Sequence, residues 1–364
     1  MMSMRNFTIY FLSIILLLTS FTLMPSKEVK AEINIKKNPY IQAYYTENAI
    51  SETKNSTSYS LFSESEELVD PVIEEKIILE TLEYYYQEDI KVADLLYNIT
   101  SDENIRDKVL STERQDKIEI MNLIKDIYPT IEGDSEKELL YGYLDRYVIG
   151  PENTEENIQE FIDQITERDN DGEFSIASTS TYNGTGAGNW AYNNYNKYST
   201  NYPRFTGSFG TDCTNFVSQA MHVGGGKPKA GNWTISKKNS TYWVINSAAE
   251  LNYSWKLTDP SPWISVKTFR SYWNPKSKVH SFSTDYYRAN HKSIYSRNIL
   301  KGDVVILHKG VAGFVTTPTH LMIISAYDSY NKDFLLAGHS RERQAYQLLN
   351  AISAYSYVEI LEIP

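Results

Sequence analysis

The sequence predicts an α+β protein, and three features of its 364 residues indicate that class. Apolar residues recur at helical spacing over residues 71–166, which predicts an all-helical region. A further short helix is predicted around the only cysteine, Cys213, and two apolar runs separated by a tight turn after residue 300 predict a β-hairpin. Helices and antiparallel strands thus occupy different parts of the chain, as they do in α+β folds.

Composition divides the chain into successive segments. After a leader over residues 1–31, the polar residues 32–70 show no sustained period and predict a flexible lead-in. Residues 71–166 predict an acidic domain of about four helices, whose apolar stripes are interpreted as the core of a bundle. Residues 167–180 are rich in Gly, Ser, Thr and Asp and predict a linker, and residues 181–364 form the second domain.

The leader has the layout of a secretory signal peptide. Arg5 precedes an uninterrupted apolar run from Phe7 to Leu23, and the small-residue site Val29–Ala31 follows. The alternative is an uncleaved membrane anchor, since a run of this length can just cross a bilayer. We expect cleavage after Ala31, a secreted chain and no membrane partner after cleavage.

Charge separates the two domains. Residues 181–364 contain 19 Lys and Arg against 10 Asp and Glu, whereas the first 180 residues contain 16 against 36. A basic second domain favours anionic polymers, and no nucleic-acid partner is predicted. The opposite charges also predict an intramolecular contact in which the acidic helices restrain the basic domain, and independent domains on a tether are the alternative.

The single cysteine is notable in a chain predicted to be exported, because it can form no intramolecular disulfide in an oxidising compartment. Burial in a core is one explanation of a free thiol, and use as a nucleophile is the other. Thr211 and Asp212 are good N-caps and the triple Gly at 224–226 is a good stop, so Cys213 begins a predicted helix.

The predicted helix has one apolar face, formed by residues 213, 216, 217, 220 and 221. Packing through this face leaves the thiol in the first turn. Unpaired N–H groups and the helix dipole at that end favour the thiolate over the thiol. We therefore expect an exposed, ionised sulfur with a lowered pKa.

Three strands are predicted after residue 300. Val304–Leu307 reads as a strand, and a loop rich in glycine follows it. Residues 320–327 and residues 332–339 then form a hairpin around the turn at 328–331.

A pair of histidines is predicted on this hairpin. If Tyr327 pairs with Lys332, His320 lies opposite His339 on the same face, with Cβ atoms about 5 Å apart. An imidazole base needs a polar neighbour that fixes its tautomer and orientation. We assign His320 as the general base of Cys213 and His339 as its orienting group.

The other four histidines are interpreted as structural hydrogen-bonding residues: His222, His280, His291 and His308. The sequence contains no HExxH motif and no second cysteine, and no pair of histidines has the i, i+4 spacing of helical metal ligands. No metal and no other cofactor is predicted.

Several residues resemble a known family. The run Thr211–Gln219, with the sequence TDCTNFVSQ, is the most specific of them, and Tyr192–Tyr198, Gly302–Val305 and His320 support it. Together they are similar to the bacterial putative amidase domain, a papain-like relative of cell-wall peptidases and CHAP amidases. The resemblance covers residues from about 181 to the C-terminus and none of the helical domain.

The resemblance implies a papain-like fold, in which the nucleophile helix packs on an antiparallel sheet that carries the histidine. It implies that Cys213, His320 and a third polar residue matching His339 hydrolyse an amide bond, while the second oxyanion donor stays unassigned. The predicted function is a secreted, cell-wall-associated cysteine amidase or peptidase acting on peptidoglycan or a cell-wall peptide. The alternative is a non-catalytic cell-surface binding protein with a degenerate papain-like domain.

Overall fold

The computed structural model describes six stretches of the chain: residues 38–55, 68–147, 182–206, 210–239, 241–312 and 315–364. The predicted leader and the predicted linker lie outside these residues. The described chain combines helices with antiparallel sheet, which confirms the predicted α+β class. None of its described helices is both long enough and apolar enough to cross a membrane.

The N-terminal part of the described chain is helical. Its helices are α1 (Pro39–Asn55), α2 (Pro71–Thr100), α3 (Ile105–Leu110), α4 (Arg114–Ile127) and α5 (Asp134–Tyr147), with a 3-10 turn at Tyr128–Thr130. Helix α2 begins at a proline in its first turn, and the Asp70 carboxylate accepts the N–H of Val72 at 2.9 Å. It ends where Ser101 adopts a left-handed conformation, with φ of 57°.

Helix α1 differs from the flexible lead-in predicted for residues 32–70. The side chain of Asn38 accepts the N–H of Tyr40 at 3.0 Å, and Tyr40 and Ile41 are fully buried. The Tyr40 hydroxyl also bonds the buried Asp89 carboxylate at 2.5 Å. A polar segment is ordered here because a few side chains fill the helical core, and average composition does not reveal such a short apolar stripe.

The C-terminal part alternates short helices and strands. Its helices are α6 (Gly184–Asn194), α7 (Cys213–Gln219), α8 (Ala248–Ser254), α9 (Val266–Trp273), α10 (Thr284–Tyr295) and α11 (Leu348–Ala351). A π-helical turn at Ala220–Gly224 follows α7, and 3-10 turns lie at Asn274–Lys276 and Ile352–Ala354. Its strands are β1 (Arg204–Phe205), β2 (Ser236–Lys237), β3 (Val244–Ile245), β4 (Trp255–Lys256), β5 (Lys278–Ser283), β6 (Val304–Ala312), β7 (Val315–Asp328), β8 (Asp333–Gly338), β9 (Arg343–Gln347) and β10 (Tyr357–Glu362).

The main sheet has six strands in the order β5-β10-β6-β7-β8-β9, and all neighbouring pairs are antiparallel. Each face of the sheet supports a different core. The core on one face contains α7 together with the sheet residues Val304, Ile306, Leu321 and Ile323. The core on the other face contains residues of α10 and α11 together with Val305, Leu307, Met322 and Ile324. This division follows the two-residue period of a strand.

The β6–β7 hairpin extends into the core of the N-terminal helices. The loop predicted between Leu307 and His320 is largely strand, because β6 continues to Ala312 and β7 begins at Val315. Val311 and Val315 are buried among the helical side chains. The helices stabilise the extended strands by burying Val311 and Val315, and the described residues belong to one compact unit.

Candidate active site

Cys213 is the first residue of α7, as predicted, and the predicted apolar face of this helix is buried in the core. The thiol is fully buried as well. Its Sγ atom lies 3.2 Å from the hydroxyl of Thr211 and 3.8 Å from that of Thr214. The nucleophile candidate therefore has polar neighbours inside an otherwise apolar environment.

The expectation of an exposed, ionised sulfur is wrong for this conformation. Burial raises the pKa of the Cys213 thiol, and the hydroxyls of Thr211 and Thr214 and the N–H of Leu321 oppose that effect only in part. Burial prevails because water that would solvate a thiolate is excluded, and a few local dipoles do not replace it. The thiol is neutral in this state.

Asp212 has a role that its sequence position did not indicate. The carboxylate makes no capping hydrogen bond to α7. One of its oxygens accepts the N–H of Phe205 at 3.0 Å and the side-chain amide of Asn215 at 2.8 Å. The other lies 2.7 Å from Nδ1 of His339. The sequence does show an acidic residue directly before the predicted nucleophile. A helix cap explains that pattern equally well, so the pattern alone does not predict a contact with His339.

His339 lies on the α7 side of the sheet. Its ring centroid is 4.0 Å from that of Phe216 and 4.5 Å from that of Tyr198, and its Nε2 lies 3.4 Å from the carbonyl oxygen of Asn194. The segment Tyr192–Tyr198, which supports the family resemblance, thus surrounds this imidazole. The His339 and Asp212 side chains are only 2% and 4% exposed, so their bond is shielded from water.

The predicted alignment of the two histidines is wrong. Ile323 pairs with Ala337, one residue later than the predicted partner Leu336. A shift of one residue moves a side chain to the opposite face, so His320 and His339 do not share a face. Two differences cause this: Tyr327 pairs with Phe334 instead of Lys332, and a β-bulge between Ile324 and Ala326 then changes the register by one residue.

His320 belongs to the opposite face of the sheet. It pairs with Leu307, whose side chain packs in the core away from α7. Burial lowers the pKa of the imidazole to about 3, so the ring is neutral. Its Nδ1 atom is buried and has no hydrogen-bond partner among the described residues.

The structure does not bring the three predicted site residues into direct contact with one another. The N–H of Leu321, the residue after His320, acts on the sulfur of Cys213. Within the described residues, however, no hydrogen bond joins this sulfur to either imidazole. His339 is linked to Cys213 through Asp212, the preceding residue. The arrangement is that of a resting site.

A cavity of about 290 Å³ lies beside the nucleophile helix. One side is formed by α2 residues that include Ile73 and Ile77, and the other includes Thr211 and Ile264. Thr211, whose hydroxyl contacts Sγ of Cys213, thus also lines the cavity. The N-terminal helices therefore form part of the environment of the site.

The remaining histidines have other partners. Their ring nitrogens contact the Lys227 carbonyl (His222), Glu362 (His280), the Lys332 carbonyl (His291) and Glu359 (His308). In the part of the chain that the structure describes, no group of three or more His, Cys, Asp or Glu side chains is arranged to hold a metal ion.

Residues 181–360 match the family model of the putative amidase domain. This match confirms the resemblance that the motifs predict, and the family indicates an amidase-type hydrolase in general. No curated protein and no solved structure matches the chain. The matched segment contains α7, the six-stranded sheet and the three predicted site residues, and it excludes the N-terminal helices.

Proposed function

We propose that this protein is a cysteine-dependent amidohydrolase whose family segment has a papain-like fold. The observation that carries the proposal is the position of Cys213. The only cysteine of the chain begins a helix that packs on an antiparallel sheet, inside the segment that matches an amidase family. A cysteine at the start of a helix is a typical setting for a thiol nucleophile.

The proposed reaction proceeds through a thioester. The thiol proton of Cys213 moves to His320 as Sγ bonds the carbonyl carbon of the substrate amide. The imidazolium then protonates the leaving amine as the C–N bond breaks, and water hydrolyses the thioester with His320 as base. The backbone N–H of Cys213 contributes to stabilising the oxyanion, since its position at the helix start leaves it without a helical acceptor.

Two features support His320 as the base. It precedes Leu321, whose N–H acts on the sulfur, so its backbone lies next to the thiol, and a local rearrangement of β7 that turns the ring to the α7 face would bring it to Cys213. Its Nδ1 breaks no hydrogen bond within the described chain when the ring turns. Catalysis in this proposal begins with that reorientation.

His339 is proposed as the third polar residue, acting with Asp212. Their buried 2.7 Å contact connects the end of β8 to the residue preceding the nucleophile. The pair fixes the start of α7 relative to the sheet. This role differs from direct orientation of the His320 ring, which the observed register does not favour.

Peptidoglycan or a cell-wall peptide is the proposed substrate, for a protein that is secreted and associated with the cell wall. The predicted leader supports the location, and the excess of Lys and Arg after residue 180 supports an anionic polymer as the target.

Amine release from purified cell walls tests the proposal. We expect release by the wild type, none by Cys213→Ala, and a rate lower by about 10² to 10⁴ for His320→Asn, the usual range for loss of a general base. Ser218→Ala is the matched control, because this hydroxyl lies on the same buried helix but bonds Trp233 and Trp263. Equal release by wild type and Cys213→Ala would instead support the alternative, a non-catalytic surface-binding protein.

A further inference from the structure

Helix α2 is anchored to the family segment by one carboxylate. Glu74 lies 3.1 Å from the ammonium group of Lys309 on β6, and its other oxygen lies 3.4 Å from the hydroxyl of Thr319 on β7. The hydroxyl of Tyr355, which precedes β10, donates a further hydrogen bond to it. Three donors from separate elements of the sheet region thus converge on a single anion.

Two of these donors are buried and the third is partly buried. Thr319 is fully buried, Tyr355 is 7% exposed, and the side chain of Lys309 is 26% exposed. Without an anion at this point, a phenol, a hydroxyl and an ammonium group would have to find other partners away from bulk water, which costs free energy. The donors therefore form a site that favours a carboxylate.

The anion site adjoins the candidate catalytic residues. Thr319 directly precedes His320 in β7. Burial raises the pKa of Tyr355, the charge of Glu74 raises it further, and Cys213 is also within electrostatic range of this phenol. A carboxylate bound here contacts the residue next to His320, the base of the proposed reaction.

We propose that Lys309, Thr319 and Tyr355 form the subsite for a carboxylate of the substrate, and that Glu74 occupies this subsite in the closed chain. The substrate class is then a peptide with a free carboxylate close to the amide that is cleaved. This inference rests on the proposed function for its account of the substrate.

Occupation of the subsite explains the resting state of the site. Glu74 holds the N-terminal end of α2 in place, and that end also forms one side of the cavity next to Thr211. The same closure keeps Cys213 and His320 in a dry environment, in which neither the thiolate nor the imidazolium is favoured. Substrate binding exchanges the carboxylate of the helix for that of the peptide.

Alkylation of the full chain tests the closure, because Cys213 is the only cysteine and its labelling is unambiguous. We expect Glu74→Gln to increase the rate of carbamidomethylation by iodoacetamide about tenfold, the size expected from loss of one charge-assisted contact. Glu88→Gln is the matched control, since it removes the same charge from α2 where the ion pair is with Lys91. Equal labelling rates for all three chains contradict the closure.

Two isosteric reagents test the chemistry of the subsite in the Glu74→Gln chain. We expect iodoacetyl-glutamic acid α-amide to alkylate Cys213 about tenfold faster than iodoacetyl-glutamine amide, because only the first carries a side-chain carboxylate. Adding Lys309→Met should abolish this preference, whereas adding Lys278→Met, which alters an exposed lysine of the same sheet, should preserve it.

Equal rates for the two reagents in the Glu74→Gln chain overturn the subsite. Alkylation requires no turnover, so this failure is distinguishable from failure of the proposed function. A chain that prefers the carboxylate reagent but releases no amine from cell walls would support the subsite and contradict the proposed enzymatic function.

Discussion

At Cys213, two physical effects act on the thiol pKa in opposite directions. The start of a helix stabilises a thiolate, and burial destabilises it. The resulting pKa is raised, while burial also lowers the pKa of His320 to about 3. A neutral thiol and a neutral imidazole are therefore the stable forms until water or substrate enters.

Neutral His320 makes the stability of the protein depend on pH. Its folded pKa is about 3, and an unfolded histidine titrates near 6.5, so the unfolded chain binds the extra proton between these values. The free energy of unfolding should decrease as the pH falls through this window, by about 1.5 kcal/mol between pH 6.5 and pH 5. Above pH 6.5 this residue should have no such effect.

Urea unfolding at pH 6.5 and pH 5 measures this contribution. His320→Asn should reduce the decrease by about 1.5 kcal/mol relative to the wild type. His291→Asn is the control, because its imidazole is only half-buried and contacts a backbone carbonyl. An unchanged pH dependence in His320→Asn would show that the imidazole is not desolvated.

Individual residues were predictable where the signal was local. The only cysteine and the apolar face of its helix follow directly from the sequence, and both are observed. The Asp212–His339 contact was not predictable, because it joins residues that are 127 positions apart. Nor does the sequence show that the nucleophile is buried, since the surroundings of the thiol depend on tertiary packing.

Among the structural elements, the β7–β8 hairpin was predicted correctly in its strands but not in its register. Two apolar runs and the turn after Asp328 predict the two strands correctly. The histidine alignment failed because the turn begins one residue later than predicted and because a bulge adds a residue to one strand; both depend on packing across the sheet. Strand existence is a local property, whereas strand register is not.

The end of the β6–β7 hairpin should contribute to the stability of the helical core. Val315 is fully buried among the N-terminal helices, so Val315→Ala should lower the free energy of unfolding by about 2 kcal/mol through lost burial and a residual cavity. Val72→Ala is the control, because Val72 is 76% exposed and its loss should change stability by less than about 0.5 kcal/mol. Urea titration followed by circular dichroism compares them, and equal midpoints would contradict the packing of this hairpin.

Across the whole molecule, a buried set of charges links the helices to the sheet. Arg270 on α9 donates to both oxygens of Glu359 at 2.7 Å and to Asp145 on α5 at 2.5 Å. Glu359 also contacts Nε2 of His308 at 3.0 Å. Side chains of opposite charge from the two regions thus form specific contacts, and the net charge of each region does not reveal which residues make them. The restraint of activity by the acidic helices remains a prediction.

The overall fold class followed from periodicity, and the family followed from the residues around Cys213. The position of α2 beside the site could not be predicted from the sequence, because Glu74 contacts Lys309, Thr319 and Tyr355 over long sequence separations. Such contacts depend on how elements pack. The boundaries of the predicted leader, linker and domains remain predictions.

Intact-mass spectrometry of acid-quenched mixtures with purified peptidoglycan fragments tests most directly whether Cys213 is the nucleophile. The wild type and Glu74→Gln should each carry an acyl adduct that peptide mapping assigns to Cys213 and that hydroxylamine removes, as expected of a thioester. Cys213→Ala should carry none and release no amine. Amine release by Cys213→Ala at the wild-type rate, with no adduct on either of the other chains, would contradict the account.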